Sequence, residues 1–191
     1  MKKVAFFLIF ESLLLAVGCQ KNELLNNDAN YVPSVQHGEY LVNIIGCNDC
    51  HTPKVMTPQG PIADPTRLLS GHPADEVLSK IEDPNVLNQY ALFSQSLTAA
   101  IGPWGTSFAS NLTPDPTGIG NWTFENFERV FREGKYKGLE NGRPILPPMP
   151  WQNFQNISDE DLQDIWAYLQ SIPPVKNIVA PALPPQSPGE G

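Results

Sequence analysis

The sequence predicts an all-α domain with long loops and a long insertion between a cysteine–histidine motif and the third helix. Three observations carry that expectation. Apolar residues recur at helical spacing at 35–46, after Thr123 and at 158–172. The 20 prolines are about twice ordinary usage and, with 14 glycines, predict a loop-rich chain. The stretch 52–110, with Pro53, Pro58, Pro61, Pro65, Pro73, Pro84 and Pro103 and an apolar run at 90–101, reads as loops with a short strand or helix, not a second domain.

The first helix, 35–46, places Tyr40, Leu41, Ile44 and Ile45 at helical spacing, and its Gly38 permits close approach of another backbone. A further helix starts after Thr123, with Trp122 and Phe127 as a hydrophobic staple. It runs through Val130 and Phe131 and stops by Gly134. The helix at 158–172 is the best marked. Ser158 is its N-cap, Asp161 stands at the capping-box position, and Ile157 and Leu162 form its staple. Leu162, Ile165, Trp166, Leu169 and Ile172 share one face, and Pro173 and Pro174 end it.

The flanks read differently. Lys2 and Lys3 precede apolar runs at 4–10 and 13–17, the layout of a secretory signal peptide over residues 1–18. The segment Leu15-Ala16-Val17-Gly18-Cys19 resembles the lipobox of bacterial lipoproteins, which makes Cys19 the lipidated first residue. Residues 19–34 are polar and Asn-rich, a flexible tether; 35–174 form the domain; 175–191 read as a Pro-rich extended tail. A net charge of −8 argues against nucleic-acid binding, which needs a basic footprint.

Three cysteines are too few for a disulfide framework. Two lie in Cys47-Asn48-Asp49-Cys50-His51, the C-x-x-C-H pattern of covalent c-type haem attachment. Thiols three positions apart reach the two vinyl groups of one porphyrin, and the adjacent histidine is carried to the iron from the same side. Structural zinc usually takes two such pairs, and a thioredoxin-like dithiol needs a βαβ context; this sequence offers neither. One motif predicts one haem c, held by Cys47 and Cys50 with His51 on the iron.

Met149 is the leading candidate for the iron's other face. It sits in Pro147-Pro148-Met149-Pro150-Trp151, where the prolines restrict the backbone before any ligand binds. Met56 follows His51 too closely to reach the opposite face easily. His72 is the alternative, giving bis-histidine iron, and His37 is a weaker one.

Several ordered motifs extend the pattern. Gly38-Glu39-Tyr40-Leu41 precedes the cysteines. Asn111-Leu112-Thr113-Pro114-Asp115 leads to Gly118-Ile119-Gly120-Asn121-Trp122-Thr123, then Gly142-Arg143-Pro144, the Met149 loop, Ser158-Asp159-Glu160-Asp161-Leu162 and Tyr168-Leu169. On these residues 35–174 resembles the cytochrome c superfamily, most of all the haem domains in cytochrome subunits of membrane-bound alcohol and aldehyde dehydrogenases. The resemblance implies a cytochrome c-like haem domain with Met149 as distal ligand. It also implies that the helices at 35–46 and 158–172 cross, with Trp166 or Leu169 expected near Gly38. The function it implies is single-electron transfer without a substrate of its own, between a redox donor and an acceptor such as a dehydrogenase or oxidase. The expected setting is the cell envelope outside the cytoplasm, with a lipid anchor to a membrane. The competing classes are a haem sensor or peroxidase-like enzyme with an open or labile sixth site, and a non-haem metal protein using Cys47, Cys50 and a histidine.

Overall fold

A computed structural model describes residues 31–185. The signal segment 1–18, Cys19, tether residues 20–30 and tail residues 186–191 lie outside the described residues. The elements run α1 (Val35–Ile44), α2 (Cys47–His51), β1 (Lys54–Thr57), β2 (Gly60–Ala63), β3 (Leu92–Phe93), β4 (Ala99–Gly102), β5 (Gly105–Phe108), α3 (Phe124–Glu133) and α4 (Asp159–Ser171). Short 3-10 turns cover Pro84–Asn88, Tyr136–Gly138 and Trp151–Phe154.

The all-α expectation fails in the insertion: the fold is mixed α/β, with two small antiparallel sheets. Strands β1 and β2 pair from Lys54↔Ala63 to Thr57↔Gly60, and the second sheet has the order β3-β4-β5. Turn chemistry makes both hairpins. Pro58 and Pro103 each open a two-residue connection with φ already set, and Gly60 (φ 111°) and Gly105 (φ 96°) close them. The strands have four residues or fewer, and the central one is Ala-Ala-Ile-Gly, so no alternation of apolar and polar residues announces them.

The helices form where periodicity placed them. Ser34 Oγ accepts from His37 N–H at the start of α1. Thr123 and Asn126 complete a capping box on α3, and Ser158 Oγ accepts from Asp161 N–H on α4. These caps satisfy donors that a helix start leaves free. The core joins Leu41 and Val42 of α1, Phe127 and Phe131 of α3, and Leu162, Ile165 and Leu169 of α4, with Leu69 and Ile119 from loops. Each buried side chain of this size contributes roughly 1.5–3 kcal/mol.

Helices α1 and α4 cross at Gly38, where a Cβ would overlap the carbonyl oxygen of Asp164 and press on Tyr168 Cβ. Asp164 and Tyr168 therefore occupy the place expected for Trp166 or Leu169. They stand four residues apart on one helical face, whereas Trp166 points round the helix to Phe127, 5.1 Å away between ring centroids, and Phe124. Leu169 joins the common core. The crossing is also polar. The Asp164 carboxylate accepts from Tyr31 Oη (2.8 Å) and Ser34 N–H (2.6 Å) and lies 2.7 Å from His37 Nδ1.

The tail 175–185 lies against the domain. Val175 and Asn177 bond to the Asn111–Thr117 stretch and to residues 70–74, and Leu183 exchanges two backbone hydrogen bonds with Thr106 of β5.

Candidate haem site

Helix α2 begins where Gly46 adopts φ 79°, which breaks α1 and restarts the chain at a new angle. One helical turn then carries Cys47, Cys50 and His51, at spacings of three and four, on one face. Its carbonyl end is held by Lys54, whose Nζ donates to Asn48 O (2.7 Å), Asp49 O (3.2 Å) and Thr52 O (2.6 Å). A cation suits the negative end of a helix.

Cys47 and Cys50 are half-buried and not joined in a disulfide. Burial pushes the Cys47 thiol up to about 12, and burial with the nearby Asp49 charge raises Cys50 as well. His51 Nδ1 lies 2.7 Å from the Ser110 carbonyl oxygen. A carbonyl only accepts, so Nδ1 carries the hydrogen and the neutral ring keeps its lone pair on Nε2. Burial lowers the His51 pKa, against the opposing effect of that hydrogen bond, and keeps the ring in this metal-binding form. Gly71 N–H donates to the His51 carbonyl at 2.8 Å, so the residue is gripped at side chain and backbone.

Met149 is half-buried and packs on the same apolar core as Cys47, together with Leu112, Trp122 and Phe124. Its loop is fastened on both sides. Ile145 N–H donates to Gly134 O at 2.8 Å, and Ser107 Oγ donates to Pro147 O at 2.5 Å. The Trp151 ring lies so close over Gly134 that a Cβ there would overlap it. Arg132 of α3 binds the carbonyls of Gln155 and Ile157 beyond.

The other histidines have partners of their own. His72 is buried, with Nδ1 2.9 Å from Thr98 Oγ1 and its ring 4.7 Å from that of Phe108. His37 Nδ1 rests on Asp164 and lies 3.6 Å from Asp161. Nothing in the sequence marked Ser110, because a backbone acceptor leaves no side-chain signature. The Asn111–Asp115 motif beside it was the only signal of that segment.

These residues fit a haem. Two free thiols and an imidazole with its lone pair on Nε2 share one turn, and a thioether sulfur packs on the same apolar cluster. Cys47 and Cys50 would hold the macrocycle and His51 and Met149 its iron, and the iron supplies one-electron redox chemistry.

No family model matches the chain. Curated relatives do. Over 75 residues, 39% of this chain and 6% of the relative, it is 48% identical to a nicotinate dehydrogenase subunit of Pseudomonas putida. Over 90 residues, 44% of this chain and 19% of the relative, it is 38% identical to the alcohol dehydrogenase (quinone) cytochrome c subunit of Komagataeibacter europaeus. Over 165 residues, 85% of this chain and 29% of the relative, it is 28% identical to the gluconate 2-dehydrogenase cytochrome c subunit of Pantoea cypripedii. The chain thus spans less than a third of the length of each of these relatives. With the C-x-x-C-H turn and two of these relatives named as cytochrome c subunits, the chain is related to the cytochrome c superfamily.

Proposed function

We propose that the chain transfers single electrons through one haem bound covalently at Cys47 and Cys50, with His51 and Met149 as axial ligands. The observation that carries this reading is the α2 turn, where both thiols stand beside an imidazole whose tautomer is fixed by Ser110. The fastened Met149 loop supports two protein ligands in both oxidation states, so that little rearranges on electron transfer. That favours a carrier over a sensor or peroxidase-like enzyme. The relatives named as cytochrome c subunits of dehydrogenases favour a dehydrogenase as redox partner. The expected site of work is the cell envelope outside the cytoplasm, with Cys19 bearing the lipid that holds the protein to a membrane.

The test is spectroscopic. The haem should survive denaturation in mass spectrometry, at one per chain. The ferrous protein should be low-spin and take carbon monoxide slowly. Met149→Ala should lower the reduction potential and open the iron to carbon monoxide, whereas His72→Ala should do neither. A wild-type protein that binds carbon monoxide at once would sink the carrier reading. An effect of His72→Ala alone would move the ligand to His72. Cys19→Ser should abolish lipid labelling; unchanged labelling would rule out that anchor.

A further inference from the structure

We propose that Asn177, in the chain beyond α4, is a positioning residue for His51 and tunes the iron's reduction potential through the backbone that grips this histidine. The inference rests on the haem reading above and goes beyond it.

Two loop segments hold His51. The first contains Gly71, whose N–H donates to the His51 carbonyl, and the second contains Ser110, whose carbonyl accepts from His51 Nδ1. These segments are paired with each other: His72 N–H donates to Ala109 O at 2.9 Å, and Leu112 N–H to Leu69 O at 2.8 Å. Residues 175–177 then tie both from outside. Asn177 Nδ2 donates to Ser70 O (2.7 Å) and His72 O (2.8 Å), and its Oδ1 accepts from Ala74 N–H (2.9 Å). On the other segment, buried Asn111 donates from Nδ2 to Val175 O at 2.8 Å, and Val175 N–H donates to the Thr113 hydroxyl at 3.1 Å. Asn177 N–H reaches Thr117 Oγ1 at 2.9 Å. The Ser110 carbonyl thus lies next to Asn111, in a segment clamped from one side by residues 69–72 and from the other by 175–177.

The chemical consequence has a sign. An Nδ1–H donated to a firmly placed carbonyl makes the imidazole a stronger donor through Nε2, which favours ferric iron. Loosening the clamp weakens that hydrogen bond and raises the potential. Asn177 is half-buried and lies outside the apolar core, so its truncation leaves the helices packed.

The experiment uses the full-length haem protein and four variants. Asn177→Ala removes all three side-chain bonds. Thr117→Val removes the acceptor for Asn177 N–H while keeping the shape, and Thr117→Ser restores that acceptor. Leu183→Pro removes the N–H bonded to Thr106 and serves as a control on the same tail, away from His51. Two quantities are read: the reduction potential, and deuterium exchange of the His51 Nδ1 proton in the ferrous protein by NMR. Asn177→Ala should raise the potential and speed that exchange about tenfold. Thr117→Val should act in the same direction, Thr117→Ser should return towards wild type, and Leu183→Pro should leave both quantities unchanged. A lower melting temperature in Asn177→Ala with unchanged potential and unchanged exchange would reduce the residue to a structural strap and overturn the proposal. A wild-type protein without covalent haem would instead remove the reading on which it rests, an outcome visible before any variant is made.

Discussion

The helical frame and the insertion at 52–110 are stabilised by different kinds of interaction. In the frame, the deeply buried side chains Val42, Leu162, Ile165 and Leu169 are apolar, and Asp164 is the one charged group buried with them among the described residues. In the insertion, buried Thr52, Ser70, His72, Ser96 and Thr98 outnumber the buried apolar side chains, which are Leu69, Leu87 and the small Ala99 and Ala100. There a chain of hydrogen bonds runs from His72 Nδ1 to Thr98 (2.9 Å), Ser96 (2.8 Å) and the Glu76 carboxylate (2.9 Å). The frame is held mainly by shape and area, and the insertion by satisfied polar groups. The iron-side machinery straddles both: Cys47 packs on the frame, while the groups that hold His51 come from the insertion.

The sharpest way to break this contrast is at Phe127, which is 2% exposed and touches both Phe131 and Trp166. Phe127→Ala should cost about 3–5 kcal/mol in urea unfolding. A loss below about 1 kcal/mol would mean that area burial does not carry the frame.

Asp164 sharpens it from the other side, as the charged group inside the frame. Burial alone would raise its pKa, but the bonds from Ser34 N–H, His37 and Tyr31 outweigh burial and hold the carboxyl below the ordinary aspartate range. Its contribution is therefore complete above the unfolded aspartate pKa and is lost as pH falls through the depressed folded value. Asp164→Ala should destabilise by about 3 kcal/mol at neutral pH, since hydrogen bonds to a charged group are lost. It should also flatten the acid limb of the stability–pH curve. An acid limb equal to wild type would show that another carboxylate sets it.

The smallest expected effect tests the insertion. Thr98→Val keeps the shape but removes the hydroxyl that His72 Nδ1 and Ser96 Oγ both meet, and should cost about 1–2 kcal/mol. Hydrogen exchange should quicken in β4 and β5 and stay unchanged in α4. Equal quickening in both would merge the two regions into one cooperative unit.

This division also explains what could be read from the sequence. Ser34, Thr123 and Ser158 are local caps, and Leu162, Ile165 and Leu169 follow a period of 3.6, so α1, α3 and α4 were visible. Cys47, Cys50 and His51 form a contiguous motif. The insertion escaped because its strands are two to four residues long and its order comes from hydroxyl groups, turns and backbone pairing. The turn sequences Pro58-Gln59-Gly60 and Pro103-Trp104-Gly105 carried what signal there was. The expectation of Trp166 or Leu169 beside Gly38 missed for a different reason: a helical face was known, but not which line along it would meet Gly38, and Leu169 instead shares the buried core with Leu41 and Val42 of α1. Asn177 was hidden because its side chain bonds only to backbone groups more than a hundred residues away in sequence.

The crossing of α1 and α4 has a consequence in polymer terms. His37 and Asp164 stand 127 positions apart, so α1 and α4 close most of the described chain into a single ring. The entropy of closing such a ring grows only with the logarithm of its length, about 0.6 kcal/mol per doubling. Lengthening an already long ring by an insertion therefore costs little thermodynamically. The penalty is kinetic, because the ring closes only when both ends exist and meet. A chain that stops short of α4 has no surface to cover Gly38, and its core stays open however well the middle has folded.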